Sequence, residues 1–124
     1  MIKQLENVVP DEISEEYLSA KSIFLAVALW RTFGGVIQVR LVDDLSVKSI
    51  DHAWLSVDGH DIDIDGSYPP IAPLDESEND LYVGMDEEKT LELVRSIIDV
   101  SDKDWEKEVK KALKIVKKYY FRDE

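Results

Sequence analysis

His52 and the carboxylates of Asp61, Asp63 and Asp65 are the residues whose types and spacing suit chemistry. They flank Asp58-Gly59, and an Asp-Gly pair between two alternating runs, Ala53 to Val57 and Asp61 to Asp65, is the strongest short-range signal for a two-residue hairpin turn. With Val57 opposite His60, Trp54 falls opposite Asp63 and His52 opposite Asp65. Alternation then sends His52, Trp54, Asp61, Asp63 and Asp65 to one face of the hairpin, and Ala53, Leu55, Val57, Ile62 and Ile64 to the other. An imidazole therefore meets one carboxylate across the strands and another on the diagonal, both within side-chain reach. The same carboxylates admit a second chemistry. Asp61-Ile-Asp63-Ile-Asp65-Gly66 matches the opening of an EF-hand loop, where alternate carboxylates and a turn glycine wrap Ca2+, with Asp75 or Glu76 as completing ligands. Two features oppose it. The twelfth loop position, which calls for a bidentate Glu, is Ala72, and an extended strand sets its same-face carboxylates about 7 Å apart, too far to share one ion. No metal site and no cofactor is expected.

The elements that must position these residues are legible on either side. Pro10 precedes Asp11, and Glu12, Glu15 and Glu16 follow where negative charge suits a helix start. Tyr17, Leu18, Phe24, Leu25, Ala28, Leu29 and Phe33 keep helical spacing, so the pattern predicts one helix from Asp11 to Phe33, with Ser19 inside it and the apolar run Ile23 to Trp30 buried on most sides. Gly34 and Gly35 stop it, and Val36 to Val42 reads as a β-branched strand ended by Asp43 and Asp44. After the hairpin comes a loop from Tyr68 to about Asn79, a short strand from Leu81 to Met85 and a helix from Asp86 to Ile98. Ser101 caps a last helix whose apolar stripe includes Trp105, Val109, Ala112, Val116 and Tyr120, with lysines on the opposite, solvated face. The expected fold is α+β over residues 1–124 as one domain: a buried N-terminal helix on a small antiparallel sheet, with two C-terminal helices covering one side.

Composition limits the function classes. A chain of 124 residues with 44% hydrophobic residues has enough apolar material for one core, and its longest apolar run, eight residues, is far short of the roughly 20 that a membrane helix needs. Met1 to Pro10 carries no secretory pattern, so the cytoplasm is the default expectation. The net charge is −12, and residues 49–88 hold twelve Asp/Glu and no Lys or Arg. Such a surface repels phosphate backbones and lipid headgroups, which argues against nucleic acid and membrane, and suits a basic protein partner steered in by charge. The pattern sets no oligomeric state.

The segment His52-Ala-Trp-Leu-Ser-Val-Asp-Gly-His-Asp-Ile-Asp63 resembles a signature of papain-like and transglutaminase-like cysteine hydrolases. The likeness spans roughly Ser19 to Gly84, with a helix, a glycine stop and a strand before the His strand, and Tyr82-Val-Gly84 after it. The resemblance implies that His52 is the base, Asp63 its orienter and Ser19 the residue at the nucleophile position. There the sequence departs from the family. The chain has no cysteine, and a serine hydroxyl is far less acidic than the thiol that a helix N-terminus and an imidazole activate. The expectation is a catalytically degenerate member of that fold acting as an acidic protein-binding module, such as an immunity or inhibitor protein. Its contact would be built from Trp54, Asp58, Asp61, Asp65, Asp75 and Glu76. The alternatives are a hydrolase or acyltransferase using Ser19, His52 and Asp63, and a calcium-binding protein using Asp61, Asp63 and Asp65.

Overall fold

The computed structural model describes residues 2–4, 9–18, 21–44, 47–68 and 79–122, and within them four helices and two antiparallel sheets. In order they are β1 (Ile2–Gln4), α1 (Asp11–Glu16), α2 (Ser22–Phe33), β2 (Val36–Asp44), β3 (Val47–Val57), β4 (His60–Asp63), β5 (Gly66–Tyr68), β6 (Asn79–Met85), α3 (Glu87–Arg95), α4 (Asp102–Tyr119) and β7 (Tyr120–Arg122). The larger sheet has the order β5-β4-β3-β2-β6, and β1 pairs with β7 in the smaller. No helix among the described residues is long and apolar enough to cross a membrane.

The helix expected from Asp11 to Phe33 is two helices. Asp11 faces Glu15 and Glu12 faces Glu16 at i,i+4, where like charges weaken a helix. Tyr17 then leaves helical geometry (φ −105°, ψ 15°) and buries its ring completely, whereas no residue of α1 is buried. Burial of the ring outweighs continuation of a weak helix. α2 starts afresh at Ser22, with seven of its twelve residues buried, and ends at Gly34 at φ 78°. It lies between the sheet, which it meets along β3 and β4, and α4.

The core fills that layer. Ile37, Val39, Leu41, Leu55 and Ile62 from the sheet meet Leu25 and Leu29 of α2 and Trp105, Val109 and Val116 of α4, all at most 3% exposed. Both C-terminal helices are capped as their sequences call for: Asp86 accepts from the Lys89 N–H at 2.9 Å and Ser101 from the Asp104 N–H at 3.1 Å. α3 stops at Arg95, short of the expected Ile98. There Arg95 donates from Nε to the Val100 carbonyl (3.1 Å) and pairs with Asp102, drawing the chain toward α4.

The hairpin forms in the expected register, with Val57 opposite His60, Ser56 opposite Asp61 and Leu55 opposite Ile62. Asp58 (φ 53°) and Gly59 (φ 76°) both take the left-handed conformation of a type I′ turn. The second strand is shorter than the sequence suggests. It ends at Asp63, whose Oδ1 accepts the Asp65 N–H at 2.8 Å, and the chain folds back as β5 with Gly66 opposite Asp63. Asp65 is thus exposed and does not stand across from His52. The first strand is longer and carries a bulge the sequence did not announce: Leu41 pairs with Ile50 and Arg40 with His52, leaving Asp51 as the extra residue. That insertion lets Ile50 and Ala53 both face the core while His52 faces away from it.

Candidate functional site

Four features fix the His52 ring. The bulge sets its direction, and Trp54, two residues on and so on the same side of β3, lies against it with centroids 5.8 Å apart and planes 22° from parallel. Its Nε2 lies 2.9 Å from Asp63 Oδ2, an oxygen delivered by the Asp58-Gly59 register. Its Nδ1 lies 3.1 Å from the carbonyl oxygen of Leu18, at the break between α1 and α2. Asp63 is itself held from several sides: Oδ1 takes the Asp65 N–H, and the Tyr120 hydroxyl donates to its backbone carbonyl. Burial pushes the Tyr120 phenol well above its ordinary pKa, so it remains a donor. Gln4 Nε2 donates to the Ile64 carbonyl at 2.6 Å, tying the small sheet to the same turn.

The partners decide what the ring can do. A carbonyl oxygen and a carboxylate both only accept, and a neutral ring carries one N–H, so the Leu18 contact is a hydrogen bond in the states where Nδ1 carries the hydrogen. In those states the nitrogen that faces Leu18 has no lone pair with which to take a proton. Asp63 engages the other nitrogen. The pair is interior, with 14% of the His52 side chain and 6% of the Asp63 side chain exposed.

Of the other residues singled out by sequence, Ser19, Asp75 and Glu76 lie outside the described residues. Trp54 (6% exposed) and Asp61 (3%) are buried and present little surface to a partner, contrary to the expected contact. The reason is that the hairpin face away from the helices is itself covered, so alternation there separates two interiors rather than inside from outside. The Trp54 indole N–H is buried with no hydrogen-bond partner among the described residues, so stacking and burial hold that ring. Asp58 sits at the turn tip, half exposed, 3.3 Å from Arg122. Among the described residues no three His, Asp or Glu side chains converge to hold a metal ion: Asp61 and Asp63 point inward while Asp65 lies in solvent.

Sequence reasoning missed Ser22. This buried residue opens α2 and accepts the Ala53 backbone N–H on Oγ at 2.8 Å, fastening the helix start beside the His strand. Its one signal was a hydroxyl at the head of an apolar run. The charge pairing was also unforeseen, because residues 49–88 find their cations elsewhere in the chain: Asp51 meets Arg40 (2.7 Å) and Glu87 meets Arg31 (2.5 Å). Arg31 also holds Glu106 at 2.8 Å, and Trp105 Nε1 donates to Glu87 at 3.1 Å. The Arg31 guanidinium holds the Glu87 carboxyl below the usual glutamate range, burial opposing it. No protein-family model, no curated protein and no solved structure matches this chain.

Proposed function

We propose that this chain is a catalytically silent domain of the papain-like or transglutaminase-like kind, acting by binding another protein. The observation that carries the reading is the Leu18 carbonyl at 3.1 Å from His52 Nδ1, which occupies the nitrogen a nucleophile would need. The absence of any cysteine agrees with it. The family likeness draws support from the order of parts: a buried helix, a glycine stop, a strand, the His strand, an Asp-Gly turn and an Asp that meets the His at 2.9 Å. A histidine and an aspartate kept together without a usable base serve the architecture and not turnover.

The partner suited to residues 49–88 is a basic protein, and an inhibitor or immunity protein against a basic toxin or enzyme is the role such a surface fits. Burial of Trp54 and Asp61 moves the described part of that contact to Asp58, Asp65 and Glu88. The competing reading, a hydrolase or acyltransferase using Ser19, His52 and Asp63, gains from the nearness of Leu18 to the ring and is separated by one experiment. In a Ser19→Cys variant, iodoacetamide should alkylate the thiol at a rate that changes less than about twofold when His52→Ala is added, because on this reading Nδ1 carries its hydrogen and donates it to Leu18. A fall of about tenfold or more on removing the imidazole would make His52 an activating base and overturn the silent reading.

A further inference from the structure

Both oxygens that face the His52 ring accept and neither donates: the Leu18 carbonyl lies 3.1 Å from Nδ1, and Asp63 Oδ2 lies 2.9 Å from Nε2. A neutral imidazole carries one N–H and turns a lone pair toward one of these oxygens. An imidazolium carries two and satisfies both. Two further contacts suit the charged ring. Asp63 Oδ1 accepts the Asp65 N–H at 2.8 Å, a hydrogen bond that favours the ionised carboxylate and so leaves the second proton to the ring. Trp54 stacks with its centroid 5.8 Å from that of His52, inside the roughly 6 Å at which an aromatic face attracts a cation.

We infer that His52 is a proton-operated clasp: as an imidazolium it ties the Leu18 carbonyl, between α1 and α2, to Asp63 of the hairpin, and on losing its proton it lets Leu18 go. The ring gives up the carbonyl and keeps the carboxylate because a hydrogen bond to an ionised acceptor is the stronger of the two. The part released is lightly held. α1 buries none of its six residues; Ile13 packs partly against the core, Glu16 pairs with Lys111 at 2.8 Å, and the anchors that follow are the buried Tyr17 ring and this carbonyl. The inference rests on the silent reading and names what regulates that site, since neither ring nitrogen has a lone pair while the second proton is in place.

The charged and titratable neighbours among the described residues hold their state while the ring titrates. Lys111 and Lys21 hold the Glu16 carboxyl below the usual glutamate range, so it stays ionised, and burial raises the Tyr17 and Tyr120 phenols, so they stay neutral. Arg40, opposite His52 on β2, is committed to Asp51 at 2.7 Å, and Asp65 lies in solvent. The other histidine of the chain, His60, stands beside the hairpin turn with Nδ1 3.0 Å from the Asp58 carbonyl and serves as a control.

Ring nitrogen-15 spectra and amide hydrogen exchange of the full chain, recorded from about pH 5.5 to about pH 8.5, test the clasp. At the acid end both nitrogens of His52 should carry hydrogen, and as pH rises Nδ1 should lose its own while Nε2 keeps the other. Over the same span the Tyr17 amide, which donates to the Ser14 carbonyl, should lose protection by about tenfold once the intrinsic rise in exchange is divided out. In Asp63→Asn the new amide N–H serves Nε2 and its oxygen takes the Asp65 N–H, so a neutral ring donates from Nδ1 to Leu18 at every pH. The loss of protection should then shrink below about twofold. His60→Gln should respond as the wild type does. Tyr17 protection that ignores pH in the wild type overturns the inference, as does an undiminished response in Asp63→Asn or a response lost in His60→Gln. A ring that turns neutral with its hydrogen still on Nδ1, or one whose Nε2 is bare at the acid end, overturns it too and leaves the silent reading standing. A bare Nδ1 already at neutral pH, with protection still following the ring, contradicts the silent reading and keeps the clasp.

Discussion

His52 and Arg31 each sit between two acceptors, yet they do different work. His52 lies inside, on the bulged strand, joining Asp63 of the hairpin to the Leu18 carbonyl between α1 and α2. Arg31 lies near the surface, with a quarter of its side chain exposed, and gathers Glu87 of α3 and Glu106 of α4 onto α2. An imidazole has two nitrogens, and here each faces an oxygen, so what the ring can do turns on which of them carries the hydrogen. A guanidinium has five N–H donors and no lone pair, so its occupancy says nothing about catalysis and everything about how helices are fastened. A histidine beside an aspartate is therefore read through its second ring nitrogen, the one a working base presents to its nucleophile.

Breaking the interior pair should cost most. Asp63→Ala leaves His52 without its carboxylate and the Asp65 N–H without its acceptor, and should destabilise the fold by about 3 kcal/mol in urea titrations. Arg31→Met removes the clamp and leaves Glu87 beside Glu106 without its cation. Because the group is partly exposed, we expect about 1 kcal/mol there. The acid limb sharpens the comparison. Glu87 titrates below its ordinary value of 4.5 in the folded chain because Arg31 donates to it, so its contribution is present above that value and fades as pH falls through the lowered one. Stability measured against pH should thus fall less steeply on the acid side in Glu87→Gln than in wild type. Glu106→Gln should change stability least, by under about 0.5 kcal/mol, since that carboxylate is the more exposed of the two.

The two sites also differ in how much of each was legible in sequence. The His52–Asp63 contact follows from a local signal, because an Asp-Gly turn fixes the register and the register fixes which side chains share a face. The Arg31 cluster joins residues 56 and 75 positions apart, and no local pattern encodes such a distance. The bulge at Asp51 was hidden for a related reason: it breaks alternation by one residue, and only the pairing partners on β2 reveal it. The break after Glu16 was masked by continued helical spacing of apolar residues, although the like-charge pairs in α1 pointed to it. The strands β1, β5 and β7, three residues each, are too short to show a period. Burial of Asp61 and Trp54 escaped notice because a polar residue in an alternating strand reads as solvent-facing unless something covers that face.

The most direct test of the account is the nitrogen-15 spectrum of the His52 ring at neutral pH. The contact with the Leu18 carbonyl predicts an Nδ1 that keeps its hydrogen and donates it, with a shift that moves when Asp63 is replaced by Ala but does not become that of a bare nitrogen. An Nδ1 with an open lone pair would contradict the silent reading, and would return His52 to the role of a working base.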